Sequence, residues 1–135
     1  MKSAVKAWLC KAEADAISAR REFRARKRPN FDSACFHAQQ CVEKTIKAIL
    51  ESANCPIRKV HDLVVLLTQC PTGAARTELL RDDLELLSQY AVTFRYPGAD
   101  ATREQAKLAI SAMDRCREQL LPLLSSSRGA RGKKK

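Results

Sequence analysis

A row of polar side chains recurs every three or four residues in the middle of the chain. An α-helix brings such positions onto one face, so a helix here would display two ammonium groups beside an imidazole and an amide. Those groups suit a phosphate, the lysines through their charge and the others through hydrogen bonds. The same spacing fits a solvated helix face or a contact with a second subunit, and spacing alone favours the solvated face. The row consists of His37, Gln40, Lys44, Lys47 and Glu51.

An arginine followed by tyrosine and proline forms a second candidate binding feature. Pro97 disfavours helical geometry at Tyr96 and thereby fixes the direction of Arg95 at the end of a predicted helix. A planar guanidinium held in one direction can clamp a phosphate or a carboxylate. It can equally cap the carbonyl groups at the end of the helix. The local sequence leaves both interpretations open.

Metal and nucleophile chemistry have little support in the sequence. His37 and Cys41 lie one helical turn apart, but no second pair of ligands accompanies them, so no metal site is predicted. The four glycines are isolated, which excludes the glycine-rich loops that cradle nucleotide phosphates. We therefore expect no cofactor. The acidic residues Asp82, Asp83 and Glu85 are typical of a solvated helix face.

Helices must position these side chains, because apolar residues repeat at helical spacing from end to end. No stretch alternates with the period of two that a strand requires, so the predicted fold class is all-α, a five-helix, mostly antiparallel up-and-down bundle. Asn30 or Asp32 would cap the second helix and Asp100 the fifth, which Pro122 would interrupt. The predicted helices cover about residues 3–27, 30–52, 61–70, 75–94 and 100–124.

The chain of 135 residues has the length of one domain, and its positive charge is concentrated at the two ends. The net charge of +10 divides into +6 over residues 1–30, −1 over residues 31–125 and +5 over residues 126–135. We predict a helical-bundle domain at 1–125 and a basic disordered tail at 126–135. Such a tail would attract polyanions without selecting among them.

Six cysteines are present without a C-x-x-C pair, and Cys10, Cys35, Cys41 and Cys116 fall within helical patterns as small apolar residues. No export signal is recognised, so we expect reduced thiols and a cytoplasmic protein. The longest aliphatic run, Leu63 to Leu67, is too short to cross a membrane.

Four short motifs, in this order, resemble the HEPN superfamily (higher eukaryotes and prokaryotes nucleotide-binding). The first helix carries a pattern like W-L-x-x-A-x-x-D, and the second a pattern like F-x-A-Q-Q-x-x-E-K-x-x-K-A-x-L. A loop motif H-[DSN]-L follows, and then a tyrosine with R-[YF]-P. The matching positions are Trp8 to Asp15, Phe36 to Leu50, His61 to Leu63, and Tyr90 with Arg95-Tyr96-Pro97. The resemblance covers about residues 4–124 and leaves the basic tail outside.

The resemblance implies a homodimeric five-helix bundle that works beside a separate minimal nucleotidyltransferase subunit, in a module of the toxin–antitoxin kind. It further implies a nucleotide or phosphate cleft between the second helix and the Arg95 corner. The residues expected to line that cleft are His37, Gln40, Lys44, Lys47, Arg95 and Tyr96.

One departure from the superfamily bears on catalysis. Its ribonuclease members carry an R-x4–6-H motif, whereas no arginine stands at that spacing before His37 or His61. Ribonuclease activity of the chain alone is therefore not expected. The alternative is a metal-independent ribonuclease in which His61 or His37 and Arg95, from separate segments, converge as catalytic residues. A further alternative is a nucleic-acid-binding protein that acts through its basic tail.

Overall fold

The computed structural model describes residues 1–94 and 96–133, with side chains described as far as residue 124. Within these residues the secondary structure consists of five helices and no strand, which confirms the predicted all-α bundle. None of these helices is long and apolar enough to cross a membrane. The helices are α1 (Ser3–Arg24), α2 (Phe31–Ser52), α3 (Leu63–Thr68), α4 (Ala74–Gln89) and α5 (Arg103–Lys133).

The central element is α2, which packs against each of the other four helices. Small residues on its buried stripe, such as Ala34, Ala38 and Cys41, allow its neighbours to approach closely. Asn30 caps it, because its side chain accepts a hydrogen bond from the Ser33 amide at 2.9 Å. Asp32, the other predicted cap, instead accepts a hydrogen bond from the Ala101 amide at 2.6 Å. The start of α2 is thereby tied to the chain that leads into α5.

The first connection begins earlier than predicted. Helix α1 ends at Arg24 rather than near residue 27, and Ala25 is already in an extended conformation. The residues at positions 26 to 28 are all cations, and their crowding on one helix would be repulsive, so continuing the helix gains little. Arg28 then adopts a left-handed conformation with φ of 51° before Pro29.

Two further predictions of helix ends are wrong. Helix α4 ends at Gln89 instead of Phe94, because the chain continues in turns in which the Tyr90 ring stacks on Phe94 at 5.3 Å. The cap of α5 is Thr102 rather than Asp100. The Thr102 hydroxyl accepts from the Gln105 amide at 3.1 Å, while the Gln105 side chain accepts from the Thr102 amide at 2.9 Å.

Pro122 lies inside α5 and does not interrupt it. The predicted basic tail at 126–135 lies outside the residues whose side chains are described, so the division at residue 125 stays a prediction.

Candidate functional site

Asp15 is the centre of a first polar cluster between α1 and α2. The carboxylate is buried, with 6% of the residue exposed. Its Oδ1 atom is 2.8 Å from Nδ1 of His37, and its Oδ2 atom accepts a hydrogen bond from the Lys44 ammonium at 2.7 Å. His37 and Lys44 stand two helical turns apart on one face of α2, and Asp15 of α1 fits between them. One buried carboxylate therefore fixes two of the predicted binding residues.

Glu43 is the centre of a second cluster, one that joins α2 to the connection before α3. Its Oε1 atom is 2.9 Å from Nδ1 of His61 and accepts a hydrogen bond from the Gln39 amide at 2.8 Å. Its Oε2 atom accepts from the Lys47 ammonium at 2.8 Å, as the spacing of Glu43 and Lys47 predicts. The same ammonium lies 5.4 Å from the centre of the Trp8 ring, a cation–π distance.

Gln40 extends the second cluster, because its side-chain amide donates to Oε1 of Gln39 at 2.7 Å. The two clusters lie side by side along α2, and we call them together the polar edge. The polar edge consists of Asp15, His37, Gln39, Gln40, Glu43, Lys44, Lys47 and His61.

The Glu43 carboxylate is stabilised in its charged form. Burial alone would raise its pKa, but hydrogen bonds from Lys47, His61 and Gln39 outweigh burial and hold the pKa below the usual value of a glutamate. The group is therefore ionised at neutral pH. It acts as a fixed negative charge that orients an ammonium and an imidazole.

The polar edge leaves its cations and rings partly open to solvent. The exposed fraction of the side chain is 61% for His61, 30% for His37, 24% for Lys44 and 14% for Lys47. A lysine ammonium has three N–H donors, and a single carboxylate contact leaves others for a ligand. Each histidine turns Nδ1 to a carboxylate, which leaves Nε2 as the atom that can meet a ligand or exchange a proton.

The structure brings most of the predicted site residues together, but not all of them. The polar edge contains five of them: His37, Gln40, Lys44, Lys47 and His61. Tyr96 is exposed on the connection between α4 and α5, and within the described residues it has no hydrogen bond or ring contact with that edge. Arg95 lies outside the described residues. Its predicted roles in phosphate binding and catalysis stay predictions.

Sequence reasoning missed the anchoring role of Asp15 and Gln39. Both occur in the motifs of the first two helices, and both are almost completely buried. Their signal was a polar residue at the same helical spacing as the apolar stripe, Asp15 next to Ala12 and Ala16, and Gln39 next to Ala38. A buried polar group of this kind needs a partner, but a single sequence does not say which one.

The cysteines show no arrangement suited to metal binding in the part of the chain that the structure describes. Cys41, one turn from His37, is buried, and this burial raises the pKa of its thiol to about 12. All six cysteines are free, and Cys10 is exposed rather than packed as a small apolar residue. No group of three potential metal ligands is found among the described residues.

Two other features of the surface lie away from the polar edge. A cavity of about 520 Å³ is lined by side chains of α5, including Asp114, Arg117 and Leu121. In the predicted acidic face, Asp83 is not merely solvated, because it accepts two hydrogen bonds from Arg115, at 2.8 and 2.9 Å. That pair links α4 to α5.

Known proteins share both the sequence pattern and the fold. The sequence model of the HEPN domain matches residues 5–121. The crystal structure of TT1696 from Thermus thermophilus is similar, with a TM-score of 0.79 and 20% identity over 90% of this chain and 99% of its own. ST0689, described as an archaeal HEPN homologue, has a TM-score of 0.70 and 25% identity over 90% of this chain and 98% of its own. No curated protein sequence matches this chain.

Proposed function

Because this chain belongs to the HEPN domain family, we propose that it is a nucleotide- or phosphate-binding subunit that works with a separate minimal nucleotidyltransferase. The module would be of the toxin–antitoxin kind, and the subunit would be a homodimer in the cytoplasm. The observation that supports this proposal is the polar edge of α2, where buried carboxylates hold partly exposed ammonium and imidazole groups in place.

The burial of Asp15 and Glu43 is the first step of the argument. Taking a carboxylate out of water costs free energy unless it is paired and hydrogen-bonded. Apolar residues of similar size could have filled the same two places as well. A pair of buried carboxylates that each orient a lysine and a histidine is the arrangement expected where donors must be held ready for a ligand.

The second step is the fit to a phosphate. The Lys44 and Lys47 ammonium groups balance the charges of the two carboxylates, so binding would depend on their free N–H donors and on hydrogen bonds from the imidazole rings rather than on a large positive charge. From His37 to Lys47 the helix rises about 15 Å, which gives room for more than one phosphate group. Gln40 lies between the clusters and offers a further amide donor.

Binding of ATP by calorimetry tests the proposal directly. Lys44→Met and Lys47→Met should each weaken binding at least about 10-fold, since a charge-assisted hydrogen bond contributes about 1.5–3 kcal/mol. Lys6→Met is the matched control, because Lys6 is exposed on α1 and belongs to neither cluster. Equal affinities of all three variants, each measured well below its own melting temperature, would remove the polar edge from nucleotide binding.

The partner is tested by co-purification of the untagged chain from its native host, with mass spectrometry of the retained proteins. A stoichiometric small nucleotidyltransferase supports the proposal. Sedimentation of the purified chain should give twice the mass of 15.1 kDa if it is a homodimer. A monomer that retains no nucleotidyltransferase would contradict both assignments.

A second candidate function, a metal-independent ribonuclease, is favoured by one specific contact. His61 is held by the buried Glu43 at 2.9 Å while most of its ring is exposed, which is the geometry of a general base with its orienting carboxylate. This candidate predicts RNA cleavage in EDTA that His61→Ala abolishes. Cleavage that survives both His61→Ala and His37→Ala would exclude it.

A further inference from the structure

Three helix ends converge at one end of the bundle, away from the middle of α2. The Asn30 amide donates to the Glu22 carbonyl at 3.2 Å, so the start of α2 folds back on the end of α1. The Ala101 amide donates to Asp32, which brings the start of α5 to the same place. The Arg103 guanidinium lies 4.9 Å from the centre of the Phe31 ring and 5.8 Å from that of Phe23. These contacts make one continuous surface from three separate segments.

This surface carries seven exposed cations, and we call it the basic end. Among the described residues, none of the seven forms an ion pair with a carboxylate. Its exposed acidic residues are Asp100 and Glu104, and the neighbouring Glu22 and Asp32 are partly buried. The cations of the basic end are Arg21, Arg24, Arg26, Lys27, Arg28, Arg103 and Lys107.

The connection from Ala25 to Pro29 presents three of these cations in a defined shape. Arg28 has a φ of 51°, in the left-handed region that favours glycine and that a long side chain rarely adopts. Such a conformation persists only where the surroundings enforce it, and it recurs at binding sites. An arginine at this position, with no carboxylate paired to it among the described residues, points to an anion outside the chain.

We propose that the basic end binds the phosphate backbone of a single-stranded nucleic acid. Five of its seven cations are arginines. A guanidinium matches phosphate oxygens with two parallel hydrogen bonds. The Arg103 guanidinium lies against the Phe31 and Phe23 rings, and because Arg103 is exposed, its planar group is also accessible to a base. The exposed apolar side chains near it, Ile17 and Leu108, stand singly and do not form the continuous apolar face that a membrane-binding helix inserts.

This site is distinct from the polar edge. Arg24 follows Asp15 by nine residues on α1, a rise of about 13 Å. Among the described residues, none of the seven cations forms a hydrogen bond or ion pair with a residue of the polar edge. The nucleic acid and the nucleotide of the proposed function would therefore bind at different places. Variants of one site should leave binding at the other unchanged.

The test is fluorescence anisotropy of the full chain with a labelled oligouridylate of about 20 nucleotides. For a single strand the logarithm of the affinity falls with the logarithm of salt by about 0.7 for each phosphate neutralised. Five cations therefore predict a slope near −3.5 and an affinity that falls about 100-fold between about 50 and 200 mM KCl. Replacing the five cations between positions 21 and 28 by glutamine should remove most of that slope.

The tail provides a control with the same change in net charge. It also carries five cations, at positions 128, 131, 133, 134 and 135, and their replacement by glutamine should weaken binding less than about threefold. An equal loss in both variants would mean attraction to net charge alone and would overturn the proposal, as would a larger loss in the tail variant. Circular dichroism and thermal melting confirm folding. The double variant of Arg26 and Lys27 to serine, outside any helix, repeats the test if the larger variant melts early.

Further arms of the experiment identify the ligand. Oligothymidylate in place of oligouridylate distinguishes DNA from RNA, and binding of either through the basic end supports the proposal. Vesicles with phosphatidylserine that bind through the same residues while both oligonucleotides fail would overturn it. Arg103→Lys keeps the charge but removes the planar group, and it should weaken binding at least about threefold if a base stacks there. Unchanged binding of this variant would overturn the stacking role.

Discussion

The Glu43→Gln substitution tests whether the second cluster holds the fold together. Glutamine has the same size as glutamate, so the change removes the charge without leaving a cavity. It leaves the Lys47 ammonium without its carboxylate in a place where only 14% of the lysine side chain is exposed. In addition, the NH₂ group of the new glutamine would face one of the N–H groups that bind the Glu43 carboxylate in the wild type.

The expected loss can be worked out from these contacts. Removing one partner of a buried ion pair costs about 3–5 kcal/mol. Since part of the Lys47 side chain reaches solvent and the ammonium can move outward, we expect the lower value, about 3 kcal/mol. At roughly 3–5 °C for each kcal/mol in a domain of this size, Tm should fall by about 10 °C.

Urea unfolding followed by circular dichroism measures this loss. Glu78→Gln is the matched control, because Glu78 pairs with Arg81 on the surface and its side chain is 74% exposed, so its melting curve should not change. The double substitution of Glu43→Gln with Lys47→Met should recover at least half of the lost stability, because it leaves no buried charge unpaired. A single variant as stable as the wild type would refute the argument that Glu43 anchors this part of the bundle.

The same variant predicts a dependence on pH. The pKa of Glu43 is lower in the folded chain than in the unfolded chain, so its contribution to stability is complete above the unfolded value of about 4.3 and is lost as the pH falls through the folded value. The stability difference between wild type and Glu43→Gln should therefore shrink as the pH falls below about 4. A difference that grows in acid would contradict the lowered pKa.

Three further predictions concern the rest of the fold. Gly73→Ala should lower the free energy of unfolding by about 2 kcal/mol in urea titrations, because an added Cβ would lie 2.6 Å from the Leu67 carbonyl oxygen; an unchanged midpoint would show that α3 and α4 shift freely. Thr102→Ala should cost about 1 kcal/mol in thermal melting, because the cap of α5 is lost; a Tm equal to that of the wild type would contradict this. A thiol reagent at about pH 8 should modify the exposed Cys10 before Cys41, whose pKa burial raises to about 12; equal rates without denaturant would contradict the buried assignment.

The sequence was sufficient to predict the five helices, but it did not predict where all of them begin and end. Apolar periodicity predicts all five helices because each buries one stripe in a shared core. The predicted end of α4 was wrong because Tyr90 and Phe94 continue the apolar spacing of the helix beyond Gln89. These two residues lie in a turn, where their rings stack. The cap of α5 was present in the sequence as Thr102 with Gln105 three residues later, a pattern that outweighs the nearby Asp100.

The candidate site was predictable in its cations but not in its anchors. His37, Gln40, Lys44 and Lys47 share one face of a single helix, so their spacing is enough to group them. Asp15 reaches this face from another helix, and such a contact depends on how α1 and α2 pack. Local sequence does not encode that packing, and for the same reason it did not show that His61 lies against Glu43.

The central position of α2 has a consequence for how the chain is made. Helix α2 is completed at Ser52, but α5, which covers part of its buried face, begins only at Arg103 and contributes core residues as far as Leu124. At a synthesis rate of about 5–20 residues per second, that face waits about 4–14 seconds for its cover. During this interval α1 can already pair with α2, while the remaining apolar surface is free to associate with other chains. The helix that carries the polar edge is therefore also a segment of the nascent protein that needs shielding until α5 has been synthesised.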